Sequence, residues 1–440
     1  MIALFLIAFF GMMLFLGVPM VACIVFSALL LPLVFGAGSP VAYLDIVDWF
    51  VNGASANNTG ITIALFMLAG EFMARGKLTE KIFNTFSYWL GKKKGFLPII
   101  SIATCMFYGA ISGSGPATTA AVGGMCYPLL VSLGYDRMFS AAILVASGCL
   151  GMVIPPSVPL TGAAAISGAV LGYEVSTIAL YKIAAVAGVL AGIILIIYAY
   201  IHCLRHGNGD QAKIDAMVDN LRTRPFSSIL AESIWAIITP VIILGGIFTE
   251  LTDPAQAAAI SLVYGILVSV FVYKTVRIDE IVPITIKCLS NGVPLFIMLA
   301  AASVFSGAMT GVQIPAKLAD AMVNSGVSGS ALICLILLFM LILGTFMDSG
   351  GAMQIVVPLV APLIVAMGMD LFTCLTAIVV AQAIGLTTPP FGLSMFVMCG
   401  VAECSVGEIS KKLVLPILLL ILVAFFVGLF PGVFAWALPV

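Results

Sequence analysis

Apolar stretches long enough to span a bilayer recur along nearly the whole 440-residue chain, and two are interrupted by consecutive prolines: GMVIPPS at 151–157 and GLTTPPF at 385–391. A proline inside a helix removes a backbone donor and its ring collides with the preceding turn, so two in a row break the helix. In lipid the released backbone groups find no water, and such a break is tolerated only against protein or a water-filled cavity. The chain must therefore fold as helices that shelter two matching breaks within the membrane.

Composition agrees with that class. Hydrophobic residues make up 62% of the chain and charged residues 8%, against about half and about a quarter in ordinary globular domains. The fold class expected is an all-α polytopic membrane protein. The opening MIALFLIAFFGMMLFLGVPM lacks the basic n-region and small-residue cleavage site of a signal peptide and reads as the first membrane segment. The ten cysteines are scattered without a Cys-x-x-Cys pair and read as free, mostly buried thiols.

A hydrophilic linker, 203–227, separates two halves, 1–202 and 228–440. Spanning segments are expected near 2–36 (interrupted around Gly17-Val18-Pro19), 56–75, 136–154 and 178–201 before the linker. After it they are expected near 229–247, 254–273, 291–309, 370–388 and 410–431. Each half also holds an apolar stretch with a polar, glycine-rich tip at its centre: 95–133 around SGSGP (112–116), and 328–367 around MDSGG (347–351). These read either as spanning pairs with tight turns or as re-entrant hairpins. Two amphipathic stretches, 77–91 and 312–325, read as interfacial arms.

The halves repeat. Displaced by 234 residues, the separation of Pro128 and Pro362, the second half falls on the first without a gap over the stretch from the hairpin tips to the proline pairs. Gly134 meets Gly368, Asp136 meets Asp370, Gly151 meets Gly385, and Pro155-Pro156 meets Pro389-Pro390. The broken helices are thereby placed at 136–157 and 370–391.

With hairpins that do not cross, each half has about five crossings, and the second half is inverted relative to the first. Charge supports this. If the linker is cytoplasmic, the loops on that side hold 16 of the 18 basic residues, all but Lys182 and Lys317. Lys77, Lys92, Lys93, Lys94, Lys213 and Lys287 are among them, while Asp45, Asp48, Glu174, Glu250 and Asp253 fall on the other side. Both termini are then periplasmic.

Inverted repeats with discontinuous helices are the pattern of secondary transporters, with sites near the bilayer midplane. A helix stopped at a proline pair leaves carbonyls at the end of its first limb, which suit a desolvated sodium ion. Helix starts beyond the breaks and at the tips offer N–H groups and positive dipole ends to a carboxylate. Glycine and serine at the tips allow close backbone approach and add hydroxyl ligands.

SGSGPATTAAVGGMCYPLL, GMVIPPSVPL, GLTTPPFGLSMFV and IWAIITPVIILGGIFTELTDPAQAAAISLVYG (234–265) resemble the large membrane subunit of tripartite ATP-independent periplasmic (TRAP) transporters, and the resemblance covers essentially the whole chain. It implies a sodium-driven importer of small organic anions in a bacterial inner membrane. It also implies a separate small membrane subunit, a periplasmic substrate-binding protein, and elevator motion of the hairpins and broken helices against a scaffold. Sialic acid, C4-dicarboxylates, other sugar acids and sulfonates all fit this expectation.

The two-fold repetition places two sodium sites, each where a tip meets a break. The first takes Ser112 and Ser114 with backbone oxygens of Gly148, Gly151, Val153 and Pro155. The second takes Asp348, Ser349 and Gly350 with oxygens of Gly385, Thr387 and Thr388. The substrate is expected between the tips, near Gly113, Thr118, Ser157, Gly351, Pro156 and Pro390. No lysine or arginine falls in a tip or break, so N–H dipoles and hydroxyls hold the anion, or a cation comes from elsewhere in the fold.

Each singled-out residue has a plainer role beside the functional one. Asp348 either caps the following helix or binds sodium. Asp136 and Asp370 read as N-caps, and Glu71 with Arg75 as a structural pair. His202 and His206 read as solvated rather than metal-binding. An ATP-driven pump is excluded because GEFMARGKL (70–78) fails the phosphate-loop spacing. An intramembrane aspartyl protease lacks a second Gly-Asp motif, so the chain is not read as an enzyme. A stand-alone sodium/anion symporter and an anion channel are the competing readings. No cofactor beyond coupling sodium ions, and no nucleic acid partner, is expected.

Overall fold

The computed structural model describes residues 20–36, 41–55, 58–207, 209–313 and 326–437, with a few single residues between them. The described residues form helices throughout, and among them seven helical runs are long and apolar enough to cross a bilayer. The first half contains Met20–Phe35, Tyr43–Ser55, Asn58–Arg75 and Leu78–Leu90, followed by a helical hairpin. The hairpin's outer arm is Phe96–Ser112, and its inner arm runs from Gly115 to Ser132 through one π-helical turn, Thr119–Gly123. A broken helix follows, with first limb Arg137–Val153 and second limb Val158–Leu171, and then the long helix Thr177–His206.

The second half repeats this order. Phe226–Phe248, Pro254–Leu267 and Ile281–Gly311 lead to a hairpin of Gly329–Phe346 and Ser349–Ala366. Its broken helix has limbs Leu371–Gly385 and Leu393–Ala402, and Val406–Leu429 follows. Under the 234-residue offset the inner arms, 115–132 and 349–366, coincide at both ends.

Local chemistry sets these boundaries. Asp136 and Asp370 cap the broken helices, accepting from Phe139 N at 2.6 Å and Thr373 N at 2.8 Å. The inner arms end alike. Gly134 and Gly368 take positive φ, Tyr135 N bonds Leu130 O, and Met369 N bonds Ile364 O. This closure needs a left-handed residue, which glycine adopts without penalty.

Three features exceed the sequence expectation. Each broken helix continues past its prolines as a full second limb rather than ending at 157 or 391, because Ser157 and Gly392 restart it. Tyr43–Ser55 is a helix, although its Asp45 and Asp48 read as loop. Part of the linker folds as Gln211–Arg222, capped by Asp210. This helix docks on Leu78–Leu90 and the loop after it: Arg222 donates to Tyr88 O, Gln211 to Lys92 O, and Lys92 pairs with Asp219. The arm expected at 312–325 lies largely outside the described residues.

Packing gathers most of the helices on one core. One continuous apolar core joins both hairpins, both broken helices, Thr177–His206 and Val406–Leu429, and it takes in Phe66, Phe83, Ile243, Ile247, Ala257 and Ala258 of the surrounding helices. Smaller clusters hold Met20–Phe35, Tyr43–Ser55 and Ile281–Gly311 together against Ile355 and Leu359 of the second hairpin, and Asn58–Arg75 with Leu78–Leu90, Phe226–Phe248 and Ile111 of the first hairpin. Within the core the halves interlock. Val158–Leu171 packs on the inner arm of the second hairpin, and Leu393–Ala402 on that of the first. At the end of the molecule away from the linker, Lys182 of the core pairs with Glu250 beside the surrounding helices, 3.2 Å apart.

Glycines let each hairpin touch its broken helix backbone to backbone. A methyl group on Gly109 would lie 2.7 Å from Gly151 Cα, and one on Gly344 would lie 2.8 Å from Gly385 Cα. Neither backbone can yield as a flexible side chain would. Gly344→Ala is therefore expected to destabilise the protein by about 1–3 kcal/mol, read as a lower thermal midpoint in detergent. Gly124→Ala, with nothing within 4 Å of the added methyl, should stay within about 0.5 kcal/mol of the parent.

Candidate functional site

The first tip is a closed knot of hydroxyls and carbonyls. Gly113 turns the chain with φ of 61°, and a methyl there would come within 2.8 Å of Pro156 O. Thr118 Oγ1 donates to Ser114 O at 2.8 Å and lies 2.9 Å from Ser112 Oγ. Ser114 caps the inner arm, accepting from Ala117 N. The broken helix presses on this knot. A methyl on Gly151 would overlap Thr118 Oγ1 and sit 2.7 Å from Ser114 O, and one on Gly148 would overlap Thr119 Oγ1. Ser114, Gly148 and Gly151 are thus brought together, with Val153 and Pro155 buried in the adjoining break.

The second tip is built differently. Asp348 caps the inner arm, its Oδ2 accepting from Gly350 N at 3.0 Å. Gln382 donates its amide to Met347 O at 3.3 Å and so fastens the tip to the broken helix. Under the 234-residue offset Gln382 stands where the first half has Gly148, so a side chain here spans what backbone contact closes there. Gly385 abuts the outer arm at Gly344. Thr387 and Thr388 both donate to Ile384 O, at 2.7 and 2.8 Å, which leaves their lone pairs free. The X-Pro bonds Pro155-Pro156 and Pro389-Pro390 are both cis.

Both tips open onto one cavity of about 270 Å³. Ser112, Gly113 and Ser114 line it from one side, and Asp348, Ser349 and Gly350 from the other. Val158, Pro159 and Leu393, at the starts of the second limbs, line it too. The N-terminal ends of four helical runs, beginning at Gly115, Val158, Ser349 and Leu393, therefore converge on one space that no lysine, arginine or histidine lines. Apolar side chains including Met67, Met152 and Met353 complete the wall.

The substrate positions expected from the sequence divide accordingly. Gly113 lines the cavity. Thr118, Pro156, Ser157, Gly351 and Pro390 do not. The Thr118 hydroxyl is held inside the tip, and Pro156 lies behind Gly113. Ser157 is taken up as a cap, bonding Leu160 N and Met152 O. Gly351 is buried within its helix, and Pro390 faces outward.

A second cavity of about 210 Å³ lies on the other flank of the first tip and shares Met67, Ser112 and Ser114 with the first. Lys287 lines it with Tyr108 and Glu71. Glu71 pairs with Arg75 at 2.8 Å, as its spacing implied. Lys287 is not a loop residue but stands in the helix Ile281–Gly311. His202 stacks between Phe139 and His206, a packing arrangement within and against the long helix.

The chain matches the family described as "Tripartite ATP-independent periplasmic transporter, DctM component" over residues 6–433. It is 33% identical over 419 residues to the isethionate TRAP transporter permease protein DctMQ of Oleidesulfovibrio alaskensis, spanning 95% of this chain and 63% of that one. It is 31% identical over 385 residues to the C4-dicarboxylate TRAP transporter large permease protein DctM of Pseudomonas aeruginosa, covering 88% and 87% of the two. Among solved structures it resembles the Alcanivorax borkumensis YdaH transporter, with a TM-score of 0.66 at 14% identity over 95% of this chain and 99% of that one. That likeness is one of fold.

The tip geometry yields a direct expectation. Thr118→Val keeps shape but removes the hydroxyl that joins Ser112 to the Ser114 carbonyl. It should cost about 1–3 kcal/mol of stability, measured as a fall in the thermal midpoint, whereas Thr118→Ser should remain close to the parent.

Proposed function

Because the chain belongs to the DctM component family of TRAP transporters, we propose that it imports a small organic anion across a bacterial inner membrane, driven by an inward sodium gradient. It is a multi-pass membrane permease subunit and not an enzyme.

The observation that carries the proposal is the shared cavity between the two tips. Four helix N-termini aimed into one space favour an anion without a basic side chain in the wall. Carbonyl-rich C-terminal ends at Ser112, Val153, Phe346 and Gly385 lie at the same junctions and suit two sodium ions. Ser114, Gly148 and Gly151 hold the first, and Asp348, Thr387 and Thr388 serve the second. Lys287, across the first tip, offers a countercharge along the route of entry or exit.

Both hairpins re-enter rather than cross, since their tips meet in one cavity, and the second half is inverted relative to the first. The hairpins and broken helices move as the elevator, and the remaining helices form the scaffold. A small membrane subunit and a periplasmic binding protein complete the system.

Reconstitution of the chain with its small subunit and binding protein tests this reading. Uptake should require an inward sodium gradient and should vanish for the chain alone; robust uptake by the chain alone would identify a stand-alone symporter. In the complete system Asp348→Ala and Ser114→Ala should each raise the sodium concentration for half-maximal uptake by about 5- to 150-fold, the equivalent of about 1–3 kcal/mol. The affinity of the binding protein for its ligand should not change.

Orientation is tested separately. In a background without native cysteines, Lys213→Cys should resist an impermeant maleimide in intact cells and react after permeabilisation, while Asp253→Cys should react from outside. External labelling at 213 would reverse the topology.

A further inference from the structure

Gln354 breaks the symmetry of the cavity. It lies on the inner arm of the second hairpin and lines the cavity, yet it is only 2% exposed. Its Oε1 is buried and, among the described residues, has no hydrogen-bond partner. Under the 234-residue offset its counterpart in the first half is Ala120, so the amide is not part of the architecture common to the two halves. A buried amide acceptor without a partner is costly unless something else satisfies it.

The surrounding wall makes the chemistry of that missing partner specific. Helix starts supply donors from four directions, which serve an anionic group. Side-chain acceptors in the wall are few, Gln354 and the second Asp348 oxygen being free among the described residues. The Ser112 and Ser114 hydroxyls are engaged within the first tip, and one Asp348 oxygen accepts from Gly350 N. The free Gln354 oxygen therefore calls for a donor on the transported molecule, at a position the two-fold repetition does not duplicate.

We propose that Gln354 is a specificity-determining residue and that the substrate is an asymmetric organic anion that also carries an O–H or N–H donor, received by the Gln354 side chain. This rests on the anion-transport reading above and adds the second recognition group. A site with a buried acceptor discriminates strongly against an analogue that leaves it unpaired, so a bare diacid or alkyl sulfonate is the disfavoured ligand.

Matched probes that differ by one donor decide the matter: L-malate against succinate, lactate against propionate, and isethionate against ethanesulfonate. Each is titrated into the detergent-purified membrane complex in sodium chloride, and binding is read from thermal stabilisation. This needs neither a sodium gradient nor the binding protein, so its failure is separable from failure of sodium-coupled uptake.

At least one hydroxylated probe should bind about 5- to 100-fold more tightly than its partner. Gln354→Leu should abolish that ratio. Gln354→Glu, which keeps an acceptor, should preserve the ratio even if added charge weakens both probes. Equal binding within every pair, no binding by any hydroxylated probe, or an unchanged ratio in Gln354→Leu would overturn the proposal. So would a Gln354→Leu variant whose sodium requirement shifts while the probe ratio stays, since the oxygen would then belong to a cation.

Discussion

Backbone groups released by a helix break have nowhere to turn in a membrane interior, and most of this fold follows from how they are satisfied. Each break is met by a hairpin of its own half, and the contact is close because glycines stand on both sides of it. Gly109 meets Gly151, and Gly344 meets Gly385, at separations that admit no side chain. That closeness places the Ser112–Ser114 and Asp348–Gly350 tips against the ends of the broken helices. The second limbs then cross to pack on the opposite inner arms, so the two breaks share one interior and cannot be built independently.

The two junctions use different chemistry for the same geometry. In the first, Thr118 and Thr119 hydroxyls fill the space beside Gly151 and Gly148. In the second, Gln382 reaches across to the Met347 carbonyl, and an acid, Asp348, stands at the tip. A formal charge on one side only makes the junctions electrostatically unequal, the second having the stronger attraction for positive charge. Local sequence divergence within a repeated frame is how such a protein gains an asymmetric cavity without altering its overall shape.

Much of this was legible because the signals are local. Proline pairs and the aspartates at 136 and 370 dictate backbone behaviour wherever they occur, and the breaks and caps formed as read. The hairpin tips were equally plain. What escaped depends on partners distant in sequence. Gly109 and Gly344 look like helix filler until the broken helix is laid against them, and Gln354 looks like any polar residue until its oxygen is seen without a donor. Five expected substrate positions, Thr118 among them, proved to support the wall or lie apart from it, because sequence fixes proximity to a break but not the direction of a side chain. The linker helix was hidden for another reason: its few apolar residues, Ile214 and Val218 among them, form a stripe that makes sense only against the neighbouring arm.

The hydrogen bonds that close each junction run between elements of the same apolar core, from Ser112, Ser114 and Thr118 at one tip to Met347 and Gln382 at the other. The broken helices thus carry their own solvent with them. Displacing the hairpins and broken helices together past the surrounding helices would exchange one apolar neighbour for another while leaving every one of these polar groups with the partner it already has. The cost of such a slide would fall on apolar contacts and, among the described residues, on the ion pair Lys182–Glu250, and not on the dehydration of peptide groups that ordinarily forbids interrupted helices in lipid.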